Sequence, residues 1–437
     1  MKRVILILSF FLNLIPFAAF AEEYSLDDLY RIALERSETI KIAEEDIYIS
    51  ERDKDRAMAV LFPKLSAFGS YRDYSREKRA DLLVIQPDNS TSWGLSLNQS
   101  LSTSGKELTA IGIAKESIVK SKVDLDSVKE GYLLNVASAY FDVLKTKKAL
   151  EIANANVERL TKYRDAAKIR LKVGEITKTV LLRAEAELAG AQSDLLKAEN
   201  NLNLAKTVLA RTAGISKDYE LKESDAGAIQ ELPLQNCQPL TVDCLKQTAL
   251  LERSEIKSVD LQRKIAGEQI KYTKGSYWPD VSVEGAYVRN ESHPSATFTN
   301  NESIYGEIKL NFPFFEGGLR KAEVREAEAR SRQADYRLAD LYKSINVEVE
   351  NAYLNLVTVS GILEKLQAEA TYAADNYNAV SKQFEFGLAN SLDVMDANTL
   401  LVTSERELAN AKYDYQFAIL QLKRATGTLL KTVDSRQ

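Results

Sequence analysis

The chain is written twice, and that duplication constrains its fold more than any other feature. Leu29-x3-Ala33-Leu34-Glu35-Arg36-Ser37-Glu38 recurs as Leu245-x3-Ala249-Leu250, followed by Glu252-Arg253-Ser254-Glu255. Phe62-Pro63 recurs as Trp278-Pro279, and Tyr71 as Tyr287. Farther on the copies align without gaps at an offset of 213: Ala139-Tyr140 with Ala352-Tyr353, Gly174 with Gly387, Ala184 with Ala397, and Gly214 with Gly427. The expected organisation is a first repeat over 22–214 and a second over 241–427. A linker over 215–240 joins them, and a short tail follows at 428–437.

Each repeat ends in a tract built for long helices. No proline occurs between Pro87 and Pro233 or after Pro313, so nothing there need break a helix. Ile345, Val349, Ala352, Leu356, Val359, Leu363, Leu366, Ala370, Ala373, Tyr377, Val380 and Phe384 alternate spacings of four and three, a heptad seam. Beyond Gly387 a second helix sets a large column (Val394, Leu401, Leu408, Tyr415, Leu422) against a small one (Ala397, Ser404, Ala411, Ala418). Small side chains let helix axes approach closely, so the tracts 106–213 and 319–427 are read as tight antiparallel hairpins. At about 1.5 Å per residue the helix over 319–386 would run roughly 100 Å, too tall for an ordinary globular bundle.

Ahead of each hairpin lie segments of period two, paired over about 64–101 and 280–313. Trp93, Leu95 and Leu97 alternate with Ser92, Gly94 and Ser96, and Ile308 and Leu310 alternate with Glu307, Lys309 and Asn311. Each is about the length of a tilted membrane strand, and aromatics gather at the ends. Four strands are too few for a membrane barrel, which needs about eight, and an open edge in lipid is costly. Membrane-spanning strands would therefore oblige the chain to oligomerise. The loops 75–90 and 292–301 are read as polar and outward-facing. Lys2, Arg3, the apolar run Val4–Phe20 and Ala19-Phe20-Ala21 read as a cleaved export signal over 1–21.

Composition excludes several activities. One His and two Cys argue against zinc, haem and iron–sulfur centres and against His-based acid–base chemistry. A net charge of -5 argues against a general nucleic-acid binder. No cofactor, metal site or catalytic constellation is expected, and the chain is not read as an enzyme. The competing reading is an exported coiled-coil scaffold without a channel. Cys237 and Cys244 lie in the linker region, where an exported chain permits a disulfide but does not demand one.

The duplicated halves, Pro-led strand pairs and Gly-tipped helices resemble the TolC family of outer-membrane efflux proteins. Phe386-Gly387-x3-Ser391-Leu392-Asp393-Val394-Met395-Asp396-Ala397 is similar to the family's second hairpin turn, and Val173-Gly174-x2-Thr177-x3-Leu181 to its first. Asn311 to Gly318 resembles the strand-to-helix turn. The resemblance implies a mainly α protomer with a membrane β-barrel part. Three copies would form a 12-stranded barrel in the outer membrane of a Gram-negative bacterium and a helical tube in the periplasm. It implies a homotrimer, a periplasmic adaptor protein and an inner-membrane pump as partners, with outer-membrane lipid around the barrel. The implied activity is that of an exit duct for efflux or type I secretion.

The resemblance also assigns residues. Asp393 and Asp396 would form a ring of carboxylates at the periplasmic gate, attractive to cations; the plainer reading is that they favour a helix start. Gly174, Thr177, Gly387 and Ser391 would sit at the hairpin tips where an adaptor docks, or simply cap helices. Glu284, Glu307 and Lys309 would keep the barrel lumen wet. Ala389, Val180 and Phe384 depart from the family's gate-locking residues, so a different lock, including an apolar one, is expected.

Overall fold

The computed structural model describes residues 22–222, 237, 241–297 and 299–434. The export signal expected at 1–21, and most of the linker expected at 215–240, lie outside them. The first repeat opens with a short strand β1 (Glu22–Tyr24) and helices α1 (Leu26–Arg36) and α2 (Glu38–Ala59). Strand β2 (Lys64–Asp73) follows, then a small hairpin of β3 (Lys78–Ala80) and β4 (Leu83–Gln86), and then β5 (Asn89–Ser102). Helices α3 (Lys106–Lys172) and α4 (Lys178–Ala213) and strand β6 (Tyr219–Leu221) close the repeat. The second repeat runs α5 (Val242–Glu252), α6 (Ser254–Gly275), β7 (Asp280–His293), β8 (Glu302–Asn311), α7 (Leu319–Glu385) and α8 (Ser391–Ala425), with α9 (Leu429–Asp434) in the tail.

The two repeats thus share their order of elements, and α3 and α7 each have 67 residues. The described residues fall into two compact units, each drawing on both repeats. One comprises Met1–Glu35, Val136–Glu231 and Leu366–Tyr413; the other comprises Arg36–Asn135, Leu232–Lys365 and Asp414–Gln437. In the first unit β1 pairs in parallel with β6, and the facing ends of α3, α4, α7 and α8 share a core. Leu160, Tyr163, Ala167, Ala184, Leu188, Ala191, Phe384, Val394 and Met395 make that core. Ala184 and Ala191 of α4 hold the positions that the small-column residues Ala397 and Ser404 hold in α8, and with Ala167 they let the helices come close.

The second unit holds an antiparallel sheet in the order β2-β5-β7-β8. Directly opposed residues share a face, so the register sorts the side chains. Leu65, Leu97, Leu95, Tyr287, Val283, Ile304 and Ile308 fall on one face. Lys64, Asn98, Ser96, Glu284, Glu307 and Lys309 fall on the other. On the apolar face Trp93 meets Tyr287 edge-on, ring centres 5.9 Å apart. Within one copy β2 and β8 each have a neighbour on only one side. The sheet is therefore two-faced and open at both edges.

The loop over 75–90 differs from the expected polar connection. It carries the β3–β4 hairpin, with Leu82 94% exposed and Leu83 and Ile85 also exposed. Val84 fastens it to the neighbouring loop. Its N–H donates to Thr297 Oγ1 at 3.1 Å, and its carbonyl accepts from Thr297 N–H at 3.1 Å. Strands of three and four residues leave too little alternation for a sequence pattern to show.

Candidate functional site

Two helical hairpins turn in the first unit, and both turns use the same chemistry. At the end of α3, Glu175 N–H donates to Arg170 carbonyl at 2.9 Å and Gly174 N–H to Leu171 carbonyl at 3.1 Å. At the end of α7, Leu388 N–H donates to Gln383 carbonyl at 2.8 Å and Gly387 N–H to Phe384 carbonyl at 3.0 Å. This nested pair of bonds satisfies carbonyls that the helix leaves open, and it needs a left-handed residue at the turn. Gly174 (φ 81) and Gly387 (φ 74) supply it, where a side chain would add strain. Thr177 is the N-cap of α4, and its hydroxyl pairs with the Thr179 hydroxyl rather than with a backbone N–H of the helix. Ser391 is the first residue of α8 and is half-buried.

Asn390, which pattern reading passed over, organises the start of α8. Its side-chain oxygen accepts from Leu392 N–H at 2.8 Å and Asp393 N–H at 3.0 Å. Asp393 Oδ2 returns the bond, accepting from Asn390 N–H at 3.0 Å. Asn-x-x-Asp is a reciprocal capping box, a signal that was present in the sequence. Asp393 therefore stabilises a helix start within one copy, in addition to any role it plays between copies. Asp396 lies one turn farther on the exposed surface.

Arg170 ties the two turns together. From the last turn of α3 its Nη1 donates to the carbonyl of Phe384 at 2.8 Å, and its guanidinium lies 4.9 Å from the centre of the Phe384 ring. Nε holds Glu175 at 2.9 Å. Phe384 is buried and also packs on Tyr163, ring centres 5.1 Å apart. A cation at the C-terminal end of a helix is favoured by the helix dipole, and here one guanidinium serves two helix ends. Higher up, Asn398 Nδ2 donates to Asn156 Oδ1 at 2.9 Å, and Arg159 reaches Glu405 at 3.5 Å. The contact between the two turns thus has an apolar part, Phe384 against Tyr163, and a polar part, Arg170, that the sequence did not disclose.

In the sheet, Glu284 and Glu307 stand directly opposite each other. Lys309 bridges them, with Nζ at 3.0 Å from Glu284 and 2.9 Å from Glu307. All three lie on the polar face, as one ionic cluster rather than three isolated charges. Cys237 and Cys244 are joined in a disulfide next to the start of α5.

A second ionic cluster sits in the interior of the second unit. Arg253, between α5 and α6, has a side chain only 5% exposed. It forks onto Glu255 at 3.1 and 3.2 Å and reaches Glu348 at 2.6 Å and the Ala425 carbonyl at 3.4 Å. Arg424 also contacts Glu255 and lies 3.8 Å from Glu130. Burial alone would raise the Glu255 carboxyl, but the two arginines outweigh it and hold it at about 2. Glu130 has the weaker share. Burial dominates, Arg424 offsets only part of it, and its carboxyl is pushed up to about 7. In the sequence Glu252-Arg253-Ser254-Glu255 marks the repeat and gives no sign of the cluster.

Among the described residues no helix is long and apolar enough to cross a membrane. No group of His, Cys, Asp or Glu there could hold a metal ion. Residues 29–214 and 245–428 each match the family described as outer membrane efflux protein. The chain belongs to that family. Two curated relatives are the outer membrane protein TolC of Escherichia coli, 25% identical with 96% of this chain and 85% of the relative covered, and TolC of Vibrio cholerae, 25% identical with 85% and 83% covered. The fold is similar to that of the outer membrane channel CmeC of Campylobacter jejuni, at a TM-score of 0.77 and 16% identity over 94% of this chain and 88% of that one. VceC of Vibrio cholerae gives 0.73 and 18%, covering 92% and 96%. As an outer membrane efflux protein the chain is a channel component of the outer membrane, not an enzyme. The scaffold-without-channel reading falls with that membership.

Proposed function

We propose that three copies join their sheets into one closed barrel of twelve strands, and that the helical hairpins continue the passage into the periplasm. The two-faced sheet with both edges unpaired carries this reading. In lipid every backbone N–H and C=O must be satisfied, which only closure achieves for strands. The polar face would then line the lumen, with Glu284, Glu307 and Lys309 hydrating the path. The hairpin turns at Gly174, Thr177, Gly387 and Ser391 would meet a periplasmic adaptor, and an inner-membrane pump would supply the energy. AprF of Pseudomonas aeruginosa, named for alkaline protease secretion, is 23% identical over 96% of this chain, which supports a secretion or efflux role.

At the periplasmic end Asp393 and Asp396 from three copies would form the gate ring, and Arg170 would hold the hairpins of each copy together. Planar-bilayer conductance tests both assignments. Wild-type channels are expected to conduct weakly and to be blocked by multivalent cations. Asp393→Ala with Asp396→Ala should weaken that block at least about tenfold, a loss of about 1.4 kcal/mol of attraction. Arg170→Ala should raise resting conductance. Unchanged block would remove the ring, unchanged conductance would remove the Arg170 latch, and no channel activity at all would overturn the duct.

A further inference from the structure

The repeats align in the sheet with fixed offsets. Lys64 in β2 corresponds to Asp280 in β7 and Tyr71 to Tyr287, an offset of 216. Asn98 in β5 corresponds to Asn311 in β8, an offset of 213, as do the helix starts Lys106 and Leu319. The pairing inside each repeat obeys this map. Lys64 opposite Asn98 becomes Asp280 opposite Asn311, and Asp73 opposite Asn89 becomes Arg289 opposite Glu302, both as observed. The remaining observed joint, β5 with β7, links the first repeat to the second. In a closed barrel its counterpart is β8 of one copy against β2 of the next.

Resting on the barrel reading above, we infer that β8 pairs with β2 of a neighbouring copy in the register that the β5–β7 joint dictates. Gly94 opposite Val288 and Leu95 opposite Tyr287 translate into Glu307 opposite Arg72 and Ile308 opposite Tyr71. A barrel needs its joints to agree in stagger, because strand number, tilt and shear are linked. Using the internal joint again meets that condition.

The side chains support the same register independently. Glu307 and Arg72 both belong to the polar face and carry opposite charges; among the described residues of its own copy Arg72 forms no ion pair and bonds only the Tyr74 side chain, while Glu307 shares Lys309 with Glu284. Opposed unlike charges stabilise a strand pair. Ile308 and Tyr71 both belong to the apolar face. Continued past the end of β8, the same register sets Phe314 against Leu65, which are 90% and 72% exposed in a single copy. A slip of one residue would exchange the faces. A slip of two would place Ile308 opposite Asp73 or Gly69 and remove the charge pair.

Cysteine pairing reads the register directly, since both native cysteines are bonded to each other. Two double variants test it: Glu307→Cys with Arg72→Cys, and Ile308→Cys with Tyr71→Cys. Adjacent opposed pairs alternate between wide and narrow spacing, so one of the two lies within disulfide reach. After mild oxidation in membranes, that variant should give a reducible covalent ladder of dimers and trimers. It should exceed, by at least about tenfold, the ladder from Ile308→Cys combined with Gly69→Cys or Asp73→Cys. A stronger ladder from a slipped pair would overturn the register while leaving the barrel intact. Trimer bands on unheated gels without any ladder would also overturn the register. Monomers alone, for wild type as well as variants, would overturn the barrel itself. If the cysteines impair assembly, Glu307→Arg with Arg72→Glu should recover the trimer band that each single change weakens; no recovery counts against the pairing.

Discussion

Replacing Gly94 with valine should abolish the stable trimer. A Cβ at this position would lie 2.1 Å from the carbonyl oxygen of Tyr287 and 3.0 Å from the Phe68 ring. The carbonyl is main chain in the adjoining strand, so it can move only by breaking the β5–β7 ladder. That ladder is the seam between the repeats, and a split there opens two new edges. Overpacking a core commonly costs about 1–3 kcal/mol, and a backbone clash belongs above that range. Gly69 is the internal control, because its added Cβ would meet nothing closer than Trp93 Cβ at 4.0 Å. Gly69→Ala should therefore leave the heat-modifiable trimer band unchanged. A normal trimer band from Gly94→Val would refute the steric argument.

The second large effect is expected at Arg253. Arg253→Ala would leave the half-buried carboxylate of Glu255 with Arg424 alone and strip a donor from the Ala425 carbonyl. Removing one partner of a buried ion pair costs about 3–5 kcal/mol, far more than the pair contributes against an apolar substitute. Thermal or denaturant unfolding of the detergent-solubilised protein should show a loss of that order. A change under about 1 kcal/mol would mean that water reaches the cluster and screens it.

The same cluster gives a pH signature. The folded carboxyl of Glu130 lies at about 7 against an ordinary 4.5, so the native state holds its proton more tightly than the unfolded chain does. Stability from this group is fully present below about pH 4.5 and declines as pH rises towards 7. Glu255 runs the other way: its folded value of about 2 stabilises above its ordinary 4.5, and the contribution fades as pH falls towards 2. Glu130→Gln should remove the decline between pH 4.5 and 7. At pH 8 the variant should be the more stable, by on the order of 3 kcal/mol. Parallel stability–pH curves for variant and wild type would contradict this.

Much of the architecture was legible because it rests on periodicity. A spacing of four and three from Ile345 to Phe384 has one plausible outcome, and α7 (67 residues) contains it. Leu65, Leu97, Val283 and Ile308 alternate with polar neighbours strongly enough to mark the strands, and the observed register puts all four on one face. The glycines at 174 and 387 announced the turns. The tethers were illegible. Arg170 is one arginine among many on an exposed helix, and nothing near it in sequence marks Phe384 as its acceptor. Glu130 and Arg424 are almost 300 positions apart and meet only through tertiary packing. Asn390 was readable in principle, as the first residue of Asn-x-x-Asp, because a carboxylate that favours a helix start has its reciprocal partner three residues earlier.

The acceptor that Arg170 uses is a main-chain carbonyl. No codon change at position 384 can delete that oxygen, although one can take away the ring beside it. Alleles that lose the bond outright will therefore cluster at residue 170, and suppressors cannot be found by swapping charges across the contact. Selection for leaky channels should show this lopsidedness: the first repeat supplies the losses, and the second supplies only partial ones.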